Sequence, residues 1–158
     1  MNDKRRQVLK TGGGVSILAL LAAAGWLAPG VAAAAEGWNA AAFDAKTMDD
    51  AMKALGGGAP VQSKEVTFFS TPEIAENGAV VPIGVTSAVP KTEAIAILIE
   101  KNPNMLAAAF DIPHGTDPSI STRVKMAQTS NVYALVKADG KYYVASKEIK
   151  VTLGGCGG

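Results

Sequence analysis

The sequence predicts an all-β protein, an immunoglobulin-like antiparallel β-sandwich of about seven strands with a short N-terminal helix. Three observations carry that expectation. From Pro60 onward, short runs rich in Val, Ile, Thr, Phe and Tyr alternate with turn residues at regular intervals. No helical periodicity intervenes between those runs. An Asp139-Gly140 pair sits between Tyr133-Ala134-Leu135-Val136-Lys137 and Lys141-Tyr142-Tyr143-Val144, which is the chemistry of a tight hairpin. A small barrel is the alternative closure for the same strand set.

The chain has 158 residues, the size of one domain, with 48% hydrophobic and 18% charged residues. Its apolar excess is concentrated at the start. A basic opening (Lys4, Arg5, Arg6, Lys10) leads into an uncharged stretch from Thr11 to Leu27 and ends in Val31-Ala32-Ala33-Ala34-Ala35. This is the pattern of a cleaved export signal over residues 1–35. The dense apolar portion, Val15 to Leu27, is about 13 residues, short of the roughly 20 that span a bilayer, so no stable membrane anchor is expected. Arg5-Arg6-Gln7-Val8-Leu9-Lys10 resembles a twin-arginine signal, with Lys4 and Val8 departing from the usual residues. A general secretory signal is the alternative. Either reading sends the protein out of the cytoplasm, and the twin-arginine one places it in the periplasm.

Removing Lys4, Arg5, Arg6 and Lys10 from 15 basic residues, and Asp3 from 14 acidic ones, leaves 11 against 13 and a net charge of −2. Nucleic-acid binding needs basic surface to displace counterions from phosphates, and this balance excludes it as a partner class.

In the remaining domain, 36–153, Thr47 is followed three residues later by Asp50, an acidic relative of the capping box. Met48, Ala51, Met52 and Leu55 then recur at helical spacing until Gly56-Gly57-Gly58 stops them. The Met and Leu stripe reads as a packing face. Strands are expected near Glu65 to Phe69, Val80 to Ser87, Glu93 to Glu100, Leu106 to Asp111, Ile120 to Gln128, Val132 to Lys137 and Lys141 to Leu153. Asn77-Gly78, Asn102-Pro103-Asn104 and Asp139-Gly140 mark the sharp turns. Pro82 lacks an amide hydrogen for the ladder, so an edge or a bulge is expected there. Ile95-Ala96-Ile97-Leu98-Ile99 lacks alternation, as in a strand buried on both sides or facing a partner.

The last five residues are Gly154, Gly155, Cys156, Gly157 and Gly158. Four glycines have no side chain to bury and the most backbone freedom to lose, so a flexible arm over residues 154–158 is expected. Cys156 is the only cysteine. A lone cysteine is ordinarily a buried small hydrophobe. Without a second cysteine for a disulfide, and on a glycine tether in an oxidising compartment, Cys156 reads instead as a working thiol. An exposed thiol of reference pKa near 8.5 is a few per cent thiolate at neutral pH, which is the attacking form. The arm supplies no acid, base or metal, so the chain reads as a covalent carrier acted on by other enzymes, with no catalytic residue of its own. A module whose cysteine only forms an intermolecular disulfide is the alternative.

His114, the only histidine, lies in the turn-rich Ile112-Pro113-His114-Gly115-Thr116-Asp117-Pro118 and reads as a solvated loop residue. With one His and one Cys the chain cannot assemble a typical zinc set, so no metal is expected. Asp49, Asp50, Glu73 and Glu76 read as solvated carboxylates. With no phosphate loop and no paired nucleophile and base, no cofactor is expected either.

The terminal Gly-Gly-Cys-Gly-Gly, the export signal, the segment Ile74-Ala75-Glu76-Asn77-Gly78-Ala79-Val80-Val81-Pro82-Ile83, and Ile95 to Ile99 followed by Asn102-Pro103-Asn104 together resemble the SoxY family, sulfur carriers of the bacterial thiosulfate-oxidising Sox system. The resemblance spans the whole length. It implies an immunoglobulin-like fold, thiosulfate-derived sulfur held on Cys156 as thiosulfonate and persulfide, and a heterodimer with SoxZ. It also implies transient visits to the SoxAX cytochrome, the SoxB hydrolase and SoxCD. All five arm positions match the family motif. For the SoxZ interface, the Ile95 to Ile99 run and an edge near Pro82 are the candidates. A diglycine-ended thiocarboxylate carrier is disfavoured, because its activation is cytosolic and uses ATP.

Overall fold

The structure is a computed structural model and describes residues 39–153. The expected export signal, 1–35, and the glycine arm with Cys156 lie outside the described residues.

Two short helices open the domain. In α1 (Ala40–Phe43) the Asn39 side chain accepts from the Ala42 amide at 3.0 Å, while its own amide donates to the Ala54 carbonyl at 2.6 Å and ties the two helices together. Four residues of alanine and phenylalanine carry no periodicity long enough to announce this helix. In α2 (Met48–Ala54) Thr47 caps as expected, its hydroxyl accepting from the Asp50 amide at 3.1 Å. The helix ends in a Schellman turn. Gly56 takes a φ of 73°, its N–H donates to Lys53, and the Gly57 N–H donates to Met52.

Among the described residues nine strands follow, where seven were expected. They are β1 (Val61–Gln62), β2 (Val66–Phe69), β3 (Ile74–Ala75), β4 (Val81–Ser87), β5 (Thr92–Ile99), β6 (Leu106–Asp111), β7 (Ser119–Val124), β8 (Ser130–Ala138) and β9 (Lys141–Val151). All seven expected strands are present. The two additions, β1 and β3, are two-residue bridges running parallel to β9, too short to show a period. One sheet has the order β1-β9-β8-β5-β6, with β3 also on β9, and the other has the order β2-β4-β7. The sheets face each other as a sandwich. The β8–β9 hairpin turns on Asp139 and Gly140 at φ of 50° and 72°, the left-handed pair that a type I′ turn requires.

The core between the sheets is built from Val81, Ile83 and Val85 of β4, Ile95, Ile97 and Ile99 of β5, Val132, Ala134 and Val136 of β8, and Ile149 of β9. On the other face of the larger sheet, Ala96, Leu98, Leu106, Leu135 and Val144 pack under Ala42, Ala51 and Met52 of the helices. The central strand β5 is thus covered on both sides, which explains its unbroken apolar run. This corrects one expectation. Ile95, Ile97, Leu98 and Ile99 are fully buried by their own chain and Ala96 nearly so, so the run is unavailable to a partner subunit.

The edge expected at Pro82 is a local one. Its strand β4 is the centre of its sheet, yet β2 pairs only with positions Gly84 to Ser87, while β7 pairs with Pro82 through Arg123. Pro82 therefore sits on a locally unpaired side, where its missing N–H costs nothing. The expected strand Ile120 to Gln128 stops at Val124. Beyond it the side chain of Asn102 donates to the Lys125 carbonyl at 2.8 Å and accepts from the Ala127 amide at 3.0 Å.

Candidate functional site, the root of the carrier arm

Strand β9 carries the chain toward Cys156, and its last residues are held on both flanks. On one flank the Val151 amide donates to Thr129 Oγ1 at 2.9 Å. On the other, the segment beginning at β3 runs parallel to β9. The Lys150 amide donates to the Glu73 carbonyl at 2.9 Å, the Thr152 amide to Ala75 at 3.1 Å, and Thr152 Oγ1 to the Glu76 carbonyl at 3.0 Å. The Gly78 amide closes the series by donating to the Leu153 carbonyl at 2.7 Å, while the Gly78 carbonyl accepts from Met126, whose side chain is fully buried. This hydrogen-bonded backbone reaches Leu153, three residues before Cys156 in sequence.

The local sequence explains this clamp. Asn77 stabilises its own turn, Oδ1 accepting from the Ala79 amide at 2.8 Å. Ala75 and Val151, paired in register, turn inward onto the core, and Ile74, paired with Lys150, is exposed. A further strut lies higher on β9. Lys147 donates from Nζ to the Thr71 carbonyl at 2.6 Å. Thr71 is itself locked, its hydroxyl accepting from the Gly84 amide at 3.1 Å and donating to the Phe69 carbonyl at 2.9 Å.

The expected site residues, Cys156 and its glycines, lie outside the described residues, and the groups that hold the end of β9 were not among the expected site residues. Glu73 and Glu76 are exposed carboxylates, as expected, and what they contribute here is their backbone carbonyls. Only the stretch beginning at Ile74, already quoted for its resemblance, pointed to this region. His114 sits in an exposed loop beside Gly115, whose φ is 84°. Asp49 and Asp50 lie exposed in the first turn of α2. None of these is brought to the root by the hydrogen bonds that build it. Among the described residues no three His, Cys, Asp or Glu side chains are grouped so as to hold a metal ion, and no helix is long and apolar enough to cross a membrane.

The Tyr133 phenol, on β8, is held above 10.0, first by burial and second by the negative charge of Glu100, with a hydrogen bond to Asn131 pulling the other way.

No curated protein sequence matches the chain. Among solved structures, the sulfur carrier protein SoxY from Chlorobium limicola f thiosulfatophilum is 40% identical, with a TM-score of 0.60 over 66% of this chain and 96% of that one. A chain from a structure on T cell specificity and activation by the superantigen toxic shock syndrome toxin-1 is 15% identical, with a TM-score of 0.40 over 54% of this chain and 97% of its own. The reeler domain of human F-spondin is 10% identical, with a TM-score of 0.33 over 60% and 95%. Neither of these two bears on function at such scores. A protein-family model described as sulfur oxidation protein SoxY matches residues 51–156, more than half of the 158 residues and reaching Cys156 itself. The chain belongs to the SoxY family of sulfur oxidation proteins.

Proposed function

We propose that this chain is a periplasmic sulfur carrier that holds thiosulfate-derived sulfur covalently on Cys156 and presents it to Sox enzymes. The observation that carries the reading is the junction at Leu153, where backbone fixed on both flanks gives way to Gly-Gly-Cys-Gly-Gly. A rigid base with a glycine tether offers one thiol to several active sites at little cost in backbone strain. Membership of the SoxY family and 40% identity to a sulfur carrier protein of known structure support the carrier role.

The chemistry follows from the thiol. The Cys156 thiolate and thiosulfate join through the outer sulfur to give Cys–S–S–SO₃⁻, releasing two electrons to a cytochrome partner of the SoxAX type. A hydrolase of the SoxB type then adds water at the sulfonate sulfur. The S–S bond to it breaks, sulfate and two protons leave, and a persulfide stays on Cys156. Further oxidation of that sulfur belongs to an enzyme of the SoxCD type, and SoxZ is the proposed stable partner. The carrier itself contributes attachment and reach, and is no enzyme. A twin-arginine signal over residues 1–35 suits export of an already folded pair.

Intact mass of the mature protein from thiosulfate-grown cells, before and after reductant and beside a Cys156→Ser variant, tests the reading. A reductant-labile sulfur addition that the serine variant lacks is the expected result. Free thiol or a symmetric disulfide under every growth condition would refute it in favour of a crosslinking module.

A further inference from the structure

Asn77 is the only asparagine in the chain that is followed by glycine. Asparagine is a thermolabile residue, because the backbone nitrogen of the next residue can attack its side-chain carbonyl and close a small ring, an intramolecular reaction favoured by proximity. Glycine presents that nitrogen with no side chain in the way. Asn77 is exposed and Gly78 is buried, and the fold treats the two reacting groups in opposite ways.

The electrophile is prepared. Asn77 Oδ1 accepts from the Ala79 amide at 2.8 Å, so the side-chain carbonyl reaches across Gly78 and meets a donor where negative charge gathers once a nucleophile adds. The Asn77 backbone carbonyl accepts from the Val80 amide at 3.4 Å, so the turn is closed by its own residues. The nucleophile is withheld. The Gly78 amide donates to the Leu153 carbonyl at 2.7 Å, and the Gly78 carbonyl accepts from the Met126 amide at 2.7 Å. To attack, the Gly78 nitrogen must lose the proton it gives to Leu153 and turn toward Asn77 Cγ, and neither step is open while that hydrogen bond stands. The activating contact lies within the turn, whereas the blocking contact comes from the end of β9. Lifting Leu153 away removes the block and keeps the activation.

We propose that Asn77 is a self-modification site capped by Leu153, and that opening of the Gly78–Leu153 hydrogen bond permits its conversion to aspartate and isoaspartate. The Gly78 nitrogen bonds to Asn77 Cγ and gives up its proton, the Cγ–Nδ2 bond breaks, and ammonia leaves. The cyclic imide then takes up a water molecule and opens at either carbonyl, with no oxidant or cofactor involved. Each product places a new negative charge next to Glu76. The isoaspartyl form also inserts a methylene into the main chain just before Gly78, which takes its amide out of register with Leu153. Conversion is therefore a one-way record of the time the end of β9 spends undocked, and it stands on the geometry of the turn, whatever Cys156 carries.

The test follows the mature protein, folded and unfolded in urea, at mildly alkaline pH. Ammonia release with peptide mapping reads conversion at Asn77 and separates it from Asp139-Gly140, whose isomerisation releases no ammonia. Hydrogen exchange of the Gly78 amide reads opening at the same nitrogen. Conversion is expected to be about tenfold or more slower in the folded protein than in the unfolded chain, and this retardation should shrink together with Gly78 protection as urea is raised toward the unfolding midpoint. Asn77→Ser keeps an oxygen that accepts from the Ala79 amide, and should fold as the parent does while releasing no ammonia from this turn. Equal rates in the folded and unfolded protein, or a retardation that persists where Gly78 protection has fallen, would overturn the cap. An unfolded chain that does not convert at Asn77 would overturn the site itself.

Discussion

The Gly78 amide donates to the Leu153 carbonyl at 2.7 Å, joining the turn after β3 to the last described residue before the glycine arm. Together with Thr129 Oγ1, which accepts from the Val151 amide at 2.9 Å from the opposite flank, it holds the chain in place up to Leu153. The two flanks differ in what a lost hydroxyl would cost. Thr129 is partly buried, so Thr129→Val leaves the Val151 amide without a partner and should lower stability by about 1 kcal/mol. Thr152 Oγ1 bonds the exposed Glu76 carbonyl, where water substitutes, so Thr152→Val should cost no more than a few tenths of a kcal/mol. Urea midpoints read both. Amide exchange at Val151, faster in the first variant only, shows that the root itself has loosened.

Gly84 and Gly57 make a paired prediction about close approach. A Cβ at Gly84 would stand 2.5 Å from the Phe69 carbonyl oxygen, a backbone atom held by the β2–β4 ladder, and Gly84→Ala must push the strands apart. A Cβ at Gly57 would stand 2.3 Å from the Tyr142 ring and 2.8 Å from the end of Met52. That ring is fixed by its hydroxyl donating to the Leu55 carbonyl at 2.8 Å, but it can be displaced with Met52. Overpacking costs about 1 to 3 kcal/mol, with Gly84→Ala expected at the upper end and Gly57→Ala at the lower. Thermal unfolding of both variants checks the order, and a neutral Gly84→Ala would contradict it.

The strands were legible where side chains alternate or turn chemistry is strong. Asp139-Gly140 specified the hairpin, and the Thr47 cap with the glycines after Leu55 bounded α2. What escaped was structure fixed by backbone contacts alone. Two-residue bridges such as Val61–Gln62 and Ile74–Ala75 have no period, and four residues at Ala40 cannot show an amphipathic face. The continuous run in β5 was legible as doubly buried or partner-facing, and only the helices laid over Ala96 and Leu98 decide between them. At the site, Cys156 and its glycines stand out by composition. The clamp at Gly78 and Thr129 does not, because it uses amides and one hydroxyl whose residue types are common in any loop.

Ile97 separates the core from the interface directly. It is fully buried between the sheets, and removing its branched side chain leaves a cavity where facing strands cannot collapse. Ile97→Ala should cost about 2 to 5 kcal/mol, seen as a large drop in urea midpoint for the chain without its partner. An interface residue would instead leave the isolated chain stable and weaken only copurification of the partner. The second pattern would overturn the assignment of this run to the chain's own core.

Tyr133 predicts how stability depends on pH. Its phenol is raised above 10.0 because burial and then the charge of Glu100 disfavour the phenolate in the folded state, while the unfolded chain has neither. A group whose folded pKa is raised binds its proton more tightly when folded, so its contribution is fully present below about pH 10 and is lost as pH rises through the folded value. The parent should therefore lose stability more steeply than Tyr133→Phe as pH rises above about 10, because the phenylalanine variant has no proton to release. Glu100→Gln should lie between them, because it removes the charge and leaves the burial. Subtracting the midpoints of parent and phenylalanine variant at each pH cancels the lysine titrations that both share. A difference that stays flat from about pH 8 to 11 would mean that Tyr133 titrates alike folded and unfolded, and that the burial on the helix side of β8 exerts no such pull.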